Sequence, residues 1–284
     1  MSEAAFSRQQ AFSWARQRYA EADIVPAREI MALYCAACGA DEFLFAPQVL
    51  TPAQTQAFQE LVECRCTHQP LQHLLKEMFF GSFRLFSSPD AFIVRPETEY
   101  LVELALRPQG ARKARLAADL CAGSGAIALT LARELPSAEI FMVEISEKAL
   151  GVARKNLERY PDLAQRITVS CADVAEPNLW EEQAGSFDLI VSNPPYVPPG
   201  TITQPEVLKD PPLALWGGGQ DGLQIPKQTV KQAFRLLNKD GILAMEHDPT
   251  QGEKLREYAG EIGFYQMRTQ RDLSGRPRYL LARK

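Results

Sequence analysis

The second half of the chain alternates short apolar runs with longer amphipathic segments. This order is typical of a mostly parallel sheet with helices packed on it. The predicted strands are Leu116–Leu120, Glu139–Val143, Ile167–Cys171, Phe187–Val191, Gly241–Glu246, Tyr265–Arg271 and Arg278–Ala282. The sequence therefore predicts an α/β fold over residues 111–284, with a seven-stranded, Rossmann-like sheet.

The first part of the chain has a different pattern. Residues 1–76 are predicted to form a helical recognition domain, in which Thr51 and Pro52 are typical of an N-cap and a first helical position. Residues 77–110 begin with an aromatic stretch that is interrupted at Gly81, as in a β-hairpin, and continue into a helix opened by a proline. We therefore predict a hairpin linker with a connecting helix between the two domains.

The composition limits the class of protein. The chain has 284 residues, 46% of them hydrophobic, and a formal net charge of −4. This acidic balance argues against stable binding to nucleic acids, which requires a basic surface. No apolar run approaches the ~20 residues that span a bilayer, and Met1–Ala5 lacks the basic and apolar regions of a secretion signal. We expect a cytoplasmic protein without a membrane segment.

Six cysteines raise the question of a metal site. Cys35 and Cys38, with Cys64 and Cys66, have spacings that suggest two halves of a four-thiolate zinc site. However, Cys35 and Cys38 lie inside an apolar run with helical character. Reduced core cysteines are therefore favoured, and no metal is predicted.

The predicted strand Phe187–Val191 leads into Ser192-Asn193-Pro194-Pro195-Tyr196. Neither proline can donate to a sheet, so the strand must end and present these residues at its carboxyl end, where ligands bind in open α/β sheets. The Asn193 side chain and a proline carbonyl can accept both hydrogens of a planar –NH2 group, while the Tyr196 ring stacks on its face. The candidate catalytic residues are Asn193, Pro194, Pro195 and Tyr196. Taken alone, the stretch also fits a proline-rich turn with an Asn cap.

A second motif lies between the first strand and the following helix. In Asp119-x-x-x-Gly123-x-Gly125, the glycines allow a close approach of backbone to a ligand, and the start of the helix offers free N–H groups. Glu144 ends the next strand, where an acid can bind both ribose hydroxyls. The pattern fits a dehydrogenase or a methyltransferase. The absence of a third glycine in the usual place and the amine-binding cluster at Asn193 favour the methyltransferase.

Several motifs together resemble the HemK/PrmC family. They are Arg95-Pro-Glu-Thr-Glu99, Asp119-Leu-Cys-Ala-Gly-Ser-Gly-Ala-Ile-Ala128, Asn193-Pro-Pro-Tyr196, Gly218-Gly-Gln-Asp-Gly-Leu223 and Asp272-Leu-Ser-Gly-Arg-Pro-Arg278. The family consists of S-adenosyl-L-methionine-dependent methyltransferases that modify the glutamine N5 of the Gly-Gly-Gln motif in class I peptide-chain release factors. The resemblance spans the whole chain, because the family also has an N-terminal helical bundle joined by a β-hairpin. The Gly-Gly-Gln triplet at 218–220 is interpreted as a loop sequence and not as a self-substrate.

The resemblance also implies roles for individual residues. The loop Cys121–Gly125 would wrap the methionine part of the cofactor, Glu144 would hold the ribose in place of the more usual Asp, and Asp173 and Val174 would border the adenine. The residues assigned to the cofactor are Cys121, Ala122, Gly123, Ser124, Gly125, Glu144, Asp173, Val174 and Asn193. The methyl group would pass directly from sulfonium to amide nitrogen, without a metal or a covalent enzyme intermediate.

Other functions fit part of the same pattern. Within the family, the substrate could be a glutamine of a ribosomal protein. Outside it, a nucleic-acid amino-methyltransferase would use the same cluster on a flipped base, although the acidic net charge weighs against this. A cofactor-binding module without catalysis and a nicotinamide-dependent dehydrogenase are the remaining alternatives.

Overall fold

The computed structural model describes most of the chain. The described residues are 5–25, 28–202 and 204–284. We predicted no secretion signal at Met1–Ala5. Of these five residues, Ala5 lies within the described part and the others lie outside it. No helix among the described residues is both long enough and apolar enough to cross a membrane.

The described residues form two compact units. One unit contains the residues up to Glu77 together with Pro205–Lys209, and the other contains Met78–Gln204 and Asp210–Lys284. The predicted domain boundaries after residues 76 and 110 stay predictions.

Eleven α-helices and nine strands are formed by the described residues. The helices are α1 (Arg8–Glu21), α2 (Glu29–Cys38), α3 (Pro52–Cys66), α4 (Leu71–Leu75), α5 (Pro96–Leu106), α6 (Ala126–Glu134), α7 (Glu147–Glu158), α8 (Pro161–Ala164), α9 (Pro212–Leu215), α10 (Gln224–Leu236) and α11 (Gly252–Ile262). The strands are β1 (Glu77–Phe80), β2 (Phe83–Phe86), β3 (Leu116–Leu120), β4 (Glu139–Glu144), β5 (Ile167–Cys171), β6 (Phe187–Ser192), β7 (Leu237–Glu246), β8 (Tyr265–Arg271) and β9 (Pro277–Arg283).

The first unit is a helical bundle with an aromatic core. Tyr34 and Phe58 are fully buried, and their rings meet edge to face with 5.7 Å between centroids. Helix α3 begins as predicted, with Thr51 as N-cap and Pro52 in the first turn. Buried Arg65 forms ion pairs with Glu29 at 2.8 Å and with Glu206, which compensate a charge whose burial would otherwise be costly.

The cysteines of this bundle are only partly in its core. All six cysteines of the chain are free, and Cys35, Cys38 and Cys66 pack half-buried against the bundle. Cys64 is exposed, so the prediction of a core cysteine is wrong at that position, because its side of α3 faces solvent. Among the described residues, no three His, Cys, Asp or Glu side chains are placed to share a metal ion.

The second unit contains a seven-stranded sheet in the order β5-β4-β3-β6-β7-β9-β8. The first five of these strands are parallel, and β9 is antiparallel to both β7 and β8. The predicted fold is confirmed, including the separate hairpin of β1 and β2. The largest difference from the predicted strand bounds is in β7, which begins at Leu237 and not at Gly241, while β4, β6 and β9 differ by one residue at one or both ends.

Both faces of this sheet are buried. In β6, Leu189 and Val191 face one hydrophobic cluster, while Ile190 between them faces the other. Helices α5, α6 and α7 supply residues to the first cluster, and α10 and α11 supply residues to the second. A strand that is covered on both faces needs a continuous apolar run, which is what the sequence of β6 has.

The register of the parallel strands aligns their carboxyl ends. Leu120 pairs with Val143 on one side and with Ser192 on the other, and Ser192 pairs with Met245. The next residue on each strand therefore lies at one common edge; these residues are Cys121, Glu144, Asn193 and Glu246. Strand order reverses between β3 and β6, and such a switch point is where open α/β sheets bind ligands.

Candidate active site

A cavity of about 370 Å³ opens at this edge of the sheet. The predicted site residues that line it are Cys121, Ala122, Gly123, Ser124, Glu144, Asp173, Val174, Asn193, Pro194, Pro195 and Tyr196. Gly125 does not line it. Gly125 precedes α6 with a φ of +78°, and a Cβ at that position would point toward Ala153 and Met142. Its predicted contact with a cofactor stays a prediction.

The loop after β3 presents its backbone to the cavity. Cys121 and Gly123 both have positive φ, at +63° and +52°. A Cβ added at Gly123 would meet no other atom within 4 Å, so a side chain at that position would project into open space beside the loop. Glycine at this position therefore keeps the cavity open next to the main chain.

Asp119, on the strand that precedes the loop, holds the loop in place. Its buried carboxylate accepts a hydrogen bond of 3.0 Å from the backbone N–H of Ala128 in the first turn of α6. The second carboxylate oxygen is buried without a hydrogen-bond partner, and burial raises the pKa of Asp119 well above its ordinary value. The carboxyl group thus connects β3 to the helix that follows the glycine loop.

Glu144 is held at the opposite side of the same loop. Its two carboxylate oxygens accept backbone N–H groups from Gly123 and Ser146, each at 2.9 Å. Each oxygen has a second lone pair, so the group can still accept hydrogen bonds from a ligand in the cavity. The hydrogen bonds fix the carboxylate in one orientation before any ligand arrives.

A buried network surrounds the end of β6. The Nδ2 of Asn193 donates to the Thr98 hydroxyl oxygen at 3.1 Å, and this hydroxyl donates to Glu246 Oε2 at 3.0 Å. The Tyr196 hydroxyl donates to the other oxygen, Glu246 Oε1, at 2.8 Å. One carboxylate therefore connects both polar side chains of the predicted catalytic cluster.

The charge of Glu246 is partly balanced by Arg278. Arg278 Nη1 lies 3.7 Å from Glu246 Oε1 and 3.3 Å from the Tyr196 hydroxyl oxygen, while its Nε donates to Asp272 at 3.1 Å. Burial raises the pKa of Glu246, and the hydrogen bond from Tyr196 and the charge of Arg278 oppose this rise. Burial also raises the pKa of Tyr196, so its hydroxyl stays a proton donor.

Glu246 was not among the predicted site residues, although a signal was present. The predicted strand Gly241–Glu246 ends in this acid, just as the earlier strand ends in Glu144. A carboxylate at the carboxyl end of a central parallel strand faces the ligand edge. Thr98, Asp272 and Arg278 belonged to motifs of the family resemblance but had no assigned role.

Gln251 supports the backbone of the cluster. Its side-chain nitrogen is buried and donates to the carbonyl oxygens of Tyr196 and Asp221, at 2.7 and 2.8 Å. Gly222 lies against the same segment, where a Cβ would come within 2.4 Å of the Tyr196 carbonyl oxygen. The glycine-rich loop at 217–222 is therefore packed directly behind Tyr196.

Asp210 connects two walls of the cavity. Its buried carboxylate accepts the backbone N–H of Ile93 at 3.2 Å and pairs with Arg95 at 2.9 Å. The neighbouring segments supply Phe92 and Pro211 to the cavity lining. Burial raises the pKa of Asp210 to about 6, against the opposing charge of Arg95.

This raised pKa predicts a pH-dependent stability. The ordinary pKa is 3.8, so between pH 4 and 6 the folded protein binds more protons at Asp210 than the unfolded chain does. Its contribution to the free energy of unfolding therefore falls as the pH rises, by about 3 kcal/mol in total. We expect Asp210→Asn to remove this fall.

The measurement is urea denaturation of both proteins at pH 4.0 and pH 6.5. The protein with Asp210 should lose about 2 kcal/mol more than the variant over this interval, because at pH 4.0 the unfolded chain is already partly protonated at this residue. Parallel changes in the two proteins would mean that Asp210 has an ordinary pKa in the fold.

Comparison with known proteins places the chain in a family. Residues 97–208 match the family description "Methyltransferase small domain", and residues 10–75 match "PrmC N-terminal domain". A protein of Bifidobacterium longum named "Release factor glutamine methyltransferase" is 37% identical over 84% of this chain and 84% of its own length. Proteins with the same name in Mycolicibacterium smegmatis and Corynebacterium glutamicum are 40% and 35% identical, over 81% and 92% of this chain and 80% and 91% of their own lengths.

The chain belongs to the release factor glutamine methyltransferase family. The predicted membership is confirmed, and the chain is an S-adenosylmethionine-dependent methyltransferase. The cavity fits this cofactor. Gly123 lines it with no other atom within 4 Å of a Cβ position, the fixed Glu144 carboxylate can accept hydrogen bonds from hydroxyl groups, and Ile145 and Val174 give it apolar lining.

Proposed function

We propose that this methyltransferase modifies the N5 amide nitrogen of the glutamine in the Gly-Gly-Gln motif of class I peptide-chain release factors. One observation carries the proposal from the site itself. Asn193 lines the cavity beside Pro194 and Pro195, and its Nδ2 is occupied by Thr98, which leaves the Oδ1 atom as an acceptor. An acceptor next to proline carbonyls suits a planar –NH2 group. The names of the relatives then specify glutamine of a release factor.

In the proposed reaction, S-adenosylmethionine supplies a methyl group that is already activated on a sulfonium sulfur and is left as the neutral thioether, while the amide nitrogen gives up one proton to water. Asn193 Oδ1 and the Pro194 carbonyl accept the two hydrogens of the substrate amide, which raises electron density on its nitrogen and aims it at the methyl group. The Tyr196 ring lies against the amide plane, and its hydroxyl is anchored on Glu246. Loop Cys121–Gly125, Glu144, Asp173 and Val174 would hold the cofactor.

The N-terminal helical unit is proposed to recognise the release factor. Its described surface exposes Leu44 and Phe45, which are 80% and 75% accessible and adjacent in sequence. Neighbouring exposed apolar side chains are typical of a protein-binding surface.

A release-factor substrate would place the enzyme in the cytoplasm, where these factors act.

The direct test combines the purified protein, labelled S-adenosylmethionine and the release factors of the same organism. We expect one added CH2 on the Gly-Gly-Gln glutamine by peptide mass mapping, and none in a release factor that carries Gly-Gly-Ala. Label on a ribosomal protein, RNA or DNA, with none on the release factors, would keep the methyltransferase assignment and refute the proposed substrate.

A further inference from the structure

We propose that Glu246, acting through Thr98, fixes which end of the Asn193 side-chain amide faces the substrate. This inference rests on the proposed function, because it explains how the amide-binding acceptor is set in place. The three side chains come from separate segments, the end of β7, helix α5 and the end of β6. They form one chain of hydrogen bonds.

The Glu246 carboxylate sets which groups donate and which accept in this chain of hydrogen bonds. An ionised carboxylate can only accept hydrogen bonds. Burial raises the pKa of Glu246, while the Tyr196 hydroxyl at 2.8 Å and the Arg278 guanidinium at 3.7 Å act in the opposite direction and favour the ionised form. When Glu246 is ionised, the Thr98 hydroxyl donates its single hydrogen to Glu246 Oε2, which lies 3.0 Å away.

The hydroxyl then has only lone pairs left for Asn193. A hydroxyl that has donated its hydrogen can interact with the NH2 end of an amide but not with the C=O end. Asn193 consequently turns its Nδ2 toward Thr98, at 3.1 Å. Its Oδ1 is left for the substrate, which is the acceptor that a substrate –NH2 group requires. Because Thr98 is buried, water does not compete with Glu246 for its hydroxyl hydrogen.

Thr98→Val and Glu246→Gln test the direction of the hydrogen bonds, and Thr98→Ser is the matched control. Thr98→Val keeps the shape of the side chain and removes the hydroxyl, whereas Thr98→Ser keeps the hydroxyl and removes the methyl group. In Glu246→Gln, the new amide can still accept from Tyr196 while its NH2 donates to Thr98. The Thr98 hydrogen would then point at Asn193 and favour its Oδ1, which reverses the amide.

We expect Thr98→Val and Glu246→Gln to lower kcat for a Gly-Gly-Gln peptide by about 10- to 100-fold, as expected for a misoriented binding group. The Kd of S-adenosylmethionine, measured by calorimetry, should change by less than about threefold, since the groups that hold the cofactor are untouched. Thr98→Ser should restore kcat to within about threefold of the unsubstituted protein. Unchanged kcat in Thr98→Val, or an equal loss in Thr98→Ser, would overturn the proposal.

A nuclear magnetic resonance measurement tests the orientation of the Asn193 side-chain amide without a substrate. In protein labelled with 15N at asparagine side chains, the Asn193 NH2 hydrogens should show a nuclear Overhauser effect to the Thr98 methyl group. The same effect should be weakened in Glu246→Gln, and an unchanged effect would refute the reversal. If the unsubstituted protein methylates no glutamine peptide, the proposed function fails, while this spectrum still shows whether Glu246 orients Asn193.

Discussion

Replacing Asn193 by alanine is expected to reduce methyl transfer to the release factor by about 100- to 1000-fold. The variant loses the Oδ1 acceptor that we assign to the substrate amide, and water cannot reproduce its fixed direction. The backbone of the loop Cys121–Gly125 and the carboxylate of Glu144 remain in place, because their hydrogen bonds do not involve Asn193. We therefore expect the Kd of S-adenosylmethionine to change by less than about threefold.

The measurement pairs transfer rates with calorimetric titration of the cofactor. Asn238→Ala is the matched control, because Asn238 lies near the start of β7 and donates to Asp188 at 2.7 Å, away from the residues that line the cavity. It should keep the transfer rate while losing about 1 kcal/mol of stability. If Asn193→Ala loses transfer and cofactor binding to the same extent, the separation of substrate and cofactor roles is wrong.

Gly222→Ala is the second substitution that we expect to lower the methylation rate strongly. The new Cβ would lie 2.4 Å from the Tyr196 carbonyl oxygen and 2.9 Å from the Pro198 nitrogen, and both of these are backbone atoms that a rotamer change cannot move. The segment that carries Tyr196 would have to shift, and Gln251 would lose its hydrogen-bond geometry to the Tyr196 carbonyl. A displacement near 1 Å in a positioned site costs about 100-fold in rate.

Gly219→Ala separates this clash from backbone strain. Gly219 has a φ of +69° and Gly222 a φ of +67°, so both alanines pay a similar conformational cost of roughly 1 kcal/mol. At Gly219, the nearest atom to the new Cβ is an Asp221 side-chain oxygen at 3.8 Å, which is ordinary contact. We expect kcat to fall in Gly222→Ala and to stay within about threefold in Gly219→Ala. Similar losses in both variants would show that the left-handed backbone, and not the contact with Tyr196, is responsible.

The local residues of the site could be predicted because parallel strands impose a simple rule. Each strand of such a sheet ends at the same edge, so an unusual residue after an apolar run can be placed without knowing the rest of the fold. Cys121, Glu144 and Asn193 follow predicted strands in this way, and all three line the cavity. Glu246 obeys the same rule at the end of the predicted strand Gly241–Glu246, but the prediction did not apply the rule to that strand.

The sequence alone determined the order of strands and helices, the strand-end positions of the glycine loop and of the Asn-Pro-Pro-Tyr cluster, and the family. These properties depend on apolar periodicity and on short motifs, which are local. The tertiary structure alone decided that Thr98 lies between Asn193 and Glu246, contacts that span 95 and 148 residues of chain. Such contacts depend on how α5 lies across the carboxyl ends of β6 and β7, and helix packing on a sheet is set by side-chain shape over the whole interface, which no short stretch of sequence contains.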